Sequence, residues 1–308
     1  MISLRHHAVS MAAVFLALAV GVVLGAGGVS DRLLGAVSAE RDDLDGRVTR
    51  LVAERDALAA RERAADEFAG RVGPAAVRGL LQGRTVVLVA AGADAQDRDA
   101  VAGLLQEAGA SVTGRVELTD AVGDPARADQ LRELASRLLP AGAQLPAAAD
   151  TGSLLGGLLG GVLLVRDGAP PVSGDAADAV LAGLTGAGFV APGASPAPAR
   201  LAVVLTGGAW DGADAPDAAA VHARLAAQLD RSGDGAVLAG RAGSATAVGA
   251  VGVARADPQV AADLSTVDDL ESGSGRVAAV LALREQVDGR AGRYGTGDGA
   301  TDGAAPAA

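Results

Sequence analysis

One uncharged apolar run, residues 8–28, dominates the start of the sequence and reads AVSMAAVFLALAVGVVLGAGG. A run of about 20 apolar residues is long enough to cross the hydrocarbon core of a bilayer as an α-helix. The preceding head, residues 1–7, contains Arg5 and two histidines. Basic residues next to a span are retained on the cytoplasmic side. We therefore predict a cytoplasmic head, a transmembrane signal-anchor at 8–28 in the inner membrane, and an extracytoplasmic remainder.

Two other interpretations of this run stay open. A signal peptide has an apolar region of about 7–15 residues, shorter than this run, but Leu24-Gly25-Ala26 resembles a cleavage site. The third interpretation is a buried helix of a soluble protein. Gly21 and Gly25 form a G-x-x-x-G pair, which lets two membrane helices approach closely, although a Gly- and Ala-rich segment also produces such pairs by chance.

A polar helix is predicted next, over residues 30–70. Leu44, Leu51 and Leu58 recur at intervals of seven, as the d positions of a coiled coil do. Charged residues at several matching a positions weaken such a coil and restrict its register. We predict a coiled-coil stalk and a homo-oligomer that forms through Gly21, Gly25 and these leucines. The alternative is one long helix that packs on the following domain, and in either case Gly73-Pro74 is expected to end it.

Residues 74–298 alternate short apolar runs with helical patterns, which is typical of an α/β fold with a parallel, Rossmann-like sheet. The predicted strands are Thr85–Ala90, Ser111–Leu118, Arg200–Leu205, Gly235–Ala239 and Ala247–Ala254. The predicted helices are 97–107, 124–139, 175–184, 217–229 and 276–287. Ser153–Val165 is too short for a membrane span and predicts a buried core segment. Residues 299–308 are predicted to be disordered.

The composition and the absence of known motifs exclude several classes of function. The chain has no cysteine, so disulfides and thiolate metal sites are ruled out. A net charge of −11 argues against a nucleic-acid partner. The sequence carries no dinucleotide, P-loop, nucleophile-elbow or zinc-protease motif. Soft copper ligands are scarce, because the two methionines are Met1 and Met11 and the remaining histidine is His222.

Three groups of residues remain as candidates for a site. Asp263, Asp268, Asp269 and Glu271 form an acidic cluster that suits a hard cation, but a solvated turn is the favoured interpretation. His222 lies alone on a predicted helix and is expected to be a surface or packing residue. Arg293–Gly297 is a glycine turn with the single tyrosine, either a contact loop or a surface turn. The prediction is a protein that is not an enzyme, with no catalytic or cofactor-binding residue and an unknown metal site.

Several segments occur in a recognisable order along nearly the whole chain. They are MISLRHHAVSMAAVFLALAVGVVLG, TVVLVA, LLPAG at 138–142, LAGRAGS at 238–244, STVDDL at 265–270 and YGTG at 294–297. In these segments the chain closely resembles the actinobacterial copper-transport protein family, MctB-like. The resemblance implies a cell-envelope protein of copper efflux and resistance, described as pore-forming in the outer membrane.

The same resemblance implies a second role. It is that of an anchored coiled-coil scaffold in cell division, which pairs with a cytoplasmic partner and influences a peptidoglycan hydrolase. Two hypotheses follow. One is a copper-transport pore that assembles around 8–28 or 153–165, and the other is a non-catalytic envelope scaffold. Short strands alternating with helices do not suit an outer-membrane barrel, which needs strands of about ten residues.

Overall fold

The structure, a computed structural model, describes residues 4–26, 29–140, 146, 150–166 and 172–306. The chain divides into two compact units, Met1–Ala64 and Ala65–Ala308. Helix α1, Leu4–Ala26, and most of helix α2, Val29–Val77, belong to the first unit. The last turns of α2 and everything after it belong to the second unit, which is the α/β domain.

Helix α1 confirms the predicted N-terminal apolar helix. Leu4–Val23 has the length and hydropathy of a membrane span, and none of it is buried within the protein. The helix begins before residue 8, because Leu4–His7 also have helical backbone. The predicted cytoplasmic residues 1–3 and the end of the predicted span at 27–28 lie outside the described residues.

Helix α2 runs through Pro74 to Val77, so the prediction that Gly73-Pro74 ends it was wrong. A proline within a helix removes one hydrogen bond, here to the carbonyl of Gly70. Only one turn follows, and it is held by packing: Val77 is fully buried, and Gly73 lies against the side chain of Val277. Whether α2 forms a coiled coil depends on a second chain and stays a prediction.

Within the described residues, the α/β domain contains a six-stranded sheet in which all strands are parallel, in the order β2-β1-β3-β4-β5-β6. The strands are β1 Thr85–Ala91, β2 Ser111–Leu118, β3 Leu201–Thr206, β4 Ala236–Ala239, β5 Ser265–Val267 and β6 Arg293–Tyr294. The helices are α3 Ala95–Glu107, α4 Ala128–Arg137, α5 Thr151–Leu163, α6 Gly174–Gly186, α7 Ala215–Ser232, α8 Ala250–Ala256, α9 Pro258–Asp263 and α10 Gly273–Val287. The predicted α/β fold with a parallel sheet is confirmed.

Both faces of the sheet are covered, which explains why its central strands read as continuous apolar runs. In β1, Val87 and Val89 face the layer formed by α4 to α9, and Val86 and Leu88 face α3, α10 and the end of α2. Successive side chains of a strand point to opposite faces. Every residue of β3 and β4 is buried for the same reason.

The predicted strand Ala247–Ala254 is wrong, because this segment contains helix α8 instead. The buried residues Val251 and Ala254 are three apart, a helical spacing. The strand that pairs with β4 is β5, which we did not predict as a strand from the sequence. Gly252 lets α8 lie directly against the preceding turn, where a Cβ would stand 2.1 Å from the Thr246 carbonyl oxygen.

Helix α5 is buried in the domain, as predicted for 153–165. Gly152, Gly156 and Gly160 lie four residues apart and face α7, so the two backbones approach closely. At Gly156 an added Cβ would lie 2.8 Å from both the Leu225 carbonyl oxygen and the Gln228 Cβ. Because α5 packs closely on α7, it is a core helix of the domain, and whether 153–165 takes part in a pore stays a prediction.

Several hydrogen bonds bind the chain after residue 298. The Asp302 carboxylate accepts a hydrogen bond from the Arg293 backbone N–H at 2.8 Å, and Gly295 N–H donates to the Gly303 carbonyl at 3.0 Å. The hydrogen-bonded chain therefore extends to Gly303, into the region predicted as disordered from 299. Residues 307–308 lie outside the described residues.

We expect Gly156→Ala to destabilise the α/β domain by about 1–3 kcal/mol, since the added methyl group overpacks the contact between α5 and α7. This loss should outweigh the gain of up to about 1 kcal/mol that alanine brings to a helix. The measurement is urea unfolding of the full chain in detergent, followed by the fluorescence of Trp210, the only tryptophan.

The matched control is Gly161→Ala on the same helix, where an added Cβ would meet nothing within 4 Å. It should be neutral or stabilising by up to about 1 kcal/mol. Equal effects of the two substitutions would contradict the close packing inferred for Gly156.

Candidate functional site

Ligands of open α/β sheets usually bind at the carboxyl edge, where the strand order reverses. Here that position lies between β1 and β3, which are followed by Gly92 and Gly207. A Cβ at Gly207 would lie 3.0 Å from the Gly92 carbonyl oxygen. The Arg241 N–H donates to the Gly207 carbonyl at 3.1 Å. The loops after β1, β3 and β4 therefore hold one another at the edge where a nucleotide would bind.

Charged side chains at this edge hold neighbouring loops together. Asp97 of α3 is fully buried and lies 2.8 Å from Arg276 and 3.0 Å from Arg241. The Glu271 carboxylate accepts from the Ala242 N–H at 3.0 and 3.1 Å. Arg276 also donates to the Glu271 carbonyl at 2.8 Å. These contacts fasten the loops after β4 and β5 to α3 and α10.

The acidic cluster predicted from the sequence is not one site. Asp263 precedes β5 and Asp268 follows it, so the two residues lie at opposite ends of that strand. Glu271 binds the Ala242 N–H, and burial raises the pKa of Asp269, with the charges of Asp268 and Glu271 adding to the effect. Across the described ranges no group of three or more His, Cys, Asp or Glu side chains is placed to hold a metal ion.

Asp268 is the anchor of a buried hydrogen-bond cluster. Its Oδ2 lies 2.5 Å from the Arg255 guanidinium, and both side chains are almost wholly buried. Arg255 further donates to the Thr266 hydroxyl at 3.0 Å and to the Tyr294 carbonyl at 2.7 Å. A third donation reaches the Asp298 carbonyl at 2.9 Å. The guanidinium thus joins α8, β5 and the loop after β6.

The glycine turn Arg293–Gly297 closes over Asp268 from the other side. The Thr296 and Gly297 N–H groups donate to Asp268 Oδ1 at 2.8 and 3.0 Å. Gly295 has a φ of +128°, and a Cβ there would strike the Asp268 carboxylate. Tyr294 donates its hydroxyl to Glu285, and burial together with that carboxylate raises the tyrosine pKa. STVDDL and YGTG are therefore two halves of one structural cluster.

The sequence analysis did not single out Arg255, the central residue of this cluster. It follows a run predicted as a strand, and its partners are 11 to 43 residues away in sequence. The one available signal was a lone arginine in the apolar context VGVARA. Such a charge is rarely buried without a partner.

His222, which was expected to be a surface or packing residue, is buried and packed. Its Nδ1 lies 2.7 Å from the Ala218 carbonyl oxygen, and its ring stacks on Trp210 with 4.8 Å between the ring centroids. Burial lowers its pKa. The imidazole is therefore neutral at pH 7, and Nδ1–H donates to the carbonyl.

Asp230 has the most perturbed carboxyl group outside this edge. It lies at the opposite, amino edge of the sheet beside a cleft of about 460 Å³, which Arg166 and Arg231 also line. Its Oδ1 accepts from the Ala236 N–H at 2.7 Å and so fixes the turn between α7 and β4. Burial, with a smaller effect from Asp263, raises the pKa of Asp230 to about 6.

Among the described residues, nearly all the large apolar side chains that are exposed lie on α1 and α2. On α1, an added Cβ at Gly21 or Gly25 would meet nothing within 4 Å, so this pair leaves one face of the helix open. On α2, Leu44, Leu51 and Leu58 are 52%, 62% and 61% exposed. Apolar side chains at this spacing on a helix are typical of a surface that contacts another helix.

Comparison with known proteins identifies relatives along the full length. Residues 1–305 match the family model described as copper transport outer membrane protein, MctB. The chain is 45% identical over 309 residues to the copper transporter MctB of Mycobacterium tuberculosis (strain ATCC 25618 / H37Rv), covering 97% of this chain and 98% of the relative. It is 42% identical over 317 residues to the copper transporter MctB of Mycobacterium leprae (strain TN), covering 98% of each.

We expect Arg255→Met to lower the free energy of unfolding by about 3–5 kcal/mol, because it leaves Asp268 charged and buried without its partner. The double variant Arg255→Met with Asp268→Asn should be more stable than Arg255→Met alone, since the asparagine still accepts from Thr296 and Gly297 without a charge. Urea unfolding of the parent chain and of both variants measures the difference. A double variant less stable than Arg255→Met would contradict the charge argument.

We expect Asp230→Asn to stabilise the protein at pH 7. The folded-state pKa of Asp230, about 6, exceeds its ordinary value of 3.8, so this group's contribution to stability is lost as the pH rises from about 4 to about 6. The difference between the two pKa values corresponds to about 3 kcal/mol. An asparagine keeps the acceptor for Ala236 and removes this pH dependence.

The control for Asp230→Asn is Asp234→Asn at the same edge. Asp234 pairs with Arg200 at 2.5 Å, and its neutralisation should bring no stabilisation. Unfolding curves of both variants from pH 4 to 8 test the prediction. If Asp230→Asn were less stable than the parent chain at pH 7, the inferred cost of its buried charge would be wrong.

Proposed function

Because this chain belongs to the MctB family of copper transport outer membrane proteins, we propose that it is a membrane-anchored component of copper transport in the cell envelope. In this proposal the α/β domain is a non-catalytic assembly module, and α1 supplies the membrane part. The observation that carries the proposal is that buried ion pairs at the carboxyl edge of the sheet hold the loops to one another. Asp97 and Asp268 are each neutralised by buried or partly buried arginines.

The proposed topology is a single pass through the inner membrane, with the N-terminus in the cytoplasm. It is supported by Leu4–Val23, which is long and apolar enough to span, and by Arg5 at its start. A helix satisfies its own backbone hydrogen bonds in lipid, whereas an open parallel sheet does not. The described sheet is open, with β2 and β6 at its edges. We therefore place the α/β domain outside the inner membrane, although the family description names the outer membrane.

The proposed active form is a homo-oligomer. Gly21 and Gly25 would let two copies of α1 approach closely, and Leu44, Leu51 and Leu58 would form the seam of a stalk between copies of α2. A transport path would then be built from α1 of several copies, because α5 is buried in the domain.

A second candidate is a non-catalytic scaffold in cell division. It would bind a cytoplasmic partner at the N-terminal head and regulate a peptidoglycan hydrolase outside the membrane. The exposed apolar residues of α2 favour it, because such a surface serves binding and carries no chemistry. Both candidates share the same anchor and stalk, and they differ in what deletion of the protein would change.

The test is deletion of the protein followed by complementation. We expect the deletion strain to accumulate copper and to grow poorly in copper, and wild-type protein to reverse both effects. Leu51→Glu with Leu58→Glu should fail to complement and should lower the solution mass of the detergent-solubilised protein, because charge at two seam positions opposes helix association.

The control is Ala53→Glu, an exposed position of α2 outside the leucine seam, which should complement fully and leave the mass unchanged. Normal copper content in the deletion strain, together with defective cell separation or hydrolase activity, would reject the transport role and support the scaffold. Full complementation by a monomeric Leu51→Glu, Leu58→Glu variant would reject the role of the oligomer.

A further inference from the structure

The described residues place an imidazole and a thioether on the same helix face at one point, His7 and Met11 of α1. Both are exposed on a continuous α-helix, and Met11 is 61% exposed. Residues four apart on an α-helix lie one above the other, with about 5–6 Å between their Cβ atoms. The ring of His7 and the sulfur of Met11 can therefore reach one ion between them.

The chemistry of this pair selects a soft cation. Thioether sulfur favours Cu(I), and imidazole nitrogen binds copper readily. Both ligands are neutral, so the bound ion keeps its own charge. The cost of moving an ion into a medium of low dielectric constant rises with the square of that charge. In the proposed span, where these residues occupy the first turns, a monovalent ion is therefore favoured over Cu(II) or Zn(II).

The arginine of α1, Arg5, lies away from this pair. It is two residues before His7, and two residues turn a helix by about 200°, so the two side chains leave opposite sides of the helix. The residue one turn after Met11 on the same face is Val14 or Phe15, both apolar and exposed. The pair therefore has apolar neighbours on the side that faces the centre of the proposed span.

We propose that His7 and Met11 chelate one Cu(I) ion at the start of α1. This inference rests on the proposed function in one respect, the placement of α1 in a membrane, and it names the copper ligands of that function. His222 contributes nothing to such a site, because it is buried against Trp210 and donates to the Ala218 carbonyl.

The experiment is anaerobic titration of the full-length protein in lipid nanodiscs with Cu(I), against a chromophoric Cu(I) chelator as competitor. We expect one Cu(I) per chain, and binding weakened tenfold or more in His7→Ala and in Met11→Leu. X-ray absorption should show a sulfur neighbour of copper in the wild type that is absent in Met11→Leu.

The matched control is Met11→Leu combined with Leu16→Met. This variant again carries a methionine on α1, but nine residues after His7. Nine residues are about two and a half helical turns, so the new methionine lies on the opposite side of the helix. This variant should bind as weakly as Met11→Leu alone. No Cu(I) binding by the wild type, or equal affinity in all variants, would overturn the site.

The two proposals fail separately. A deletion strain that accumulates copper, together with unchanged Cu(I) affinity in His7→Ala and Met11→Leu, would overturn the site and leave the transport role standing. Tight binding that both substitutions abolish, with normal copper content in the deletion strain, would support the site and reject the transport role.

Discussion

The α/β domain depends on close contact between backbones, because its core has few large side chains. Its largest fully buried residues are Phe189 and a set of leucines. Aromatic residues make up only 2% of the chain. A core of Ala, Val and Leu reaches normal packing density only when its helices come near one another. The glycines of α5 let its backbone lie close to α7. The glycines after β1, β3 and β4 let the loops there lie close to one another.

The same constraint accounts for the close contact between loops at the carboxyl edge of the sheet. At the carboxyl edge, the loops that would cradle a ligand in other α/β proteins touch each other and are joined by ion pairs. Buried pairs of this kind add little net stability over apolar packing, but each partner is costly to remove alone. The ion pairs and close contacts at this edge therefore hold the loops in one arrangement.

The sequence was sufficient where local pattern decides structure. The bounds of strands β1 and β2 were predicted to within one residue, because short β-branched apolar runs between polar turns are typical of strands. The segment at α8 was misjudged because Val248, Val251 and Val253 suggested a strand, while the available ladder position belongs to β5. Short strands such as β5 and β6 carry too few residues for a periodic signal and depend on their neighbours.

The candidate site was less accessible to prediction. Asp268 and the turn around Gly295 were noticed as separate motifs, but nothing in the sequence indicates that they meet. Their link is Arg255, whose partners lie far along the chain, and long-range pairing of this kind follows from the tertiary fold. For His222 the sequence left a surface position and a packed position open, and the structure buries the residue against Trp210.

The cluster around Arg255 also bears on how the protein is made. The hydrogen bonds of Arg255 and Asp268 are complete only when Tyr294, Thr296 and Gly297 supply their partners, and these residues come 28 to 39 residues later in the sequence. A chain made from its N-terminus first therefore holds an incompletely hydrogen-bonded ion pair until the turn after β6 has been synthesised. A fragment that ends before Tyr294 would expose this unfinished edge, which gives a protease a direct way to distinguish it from a chain that includes the turn.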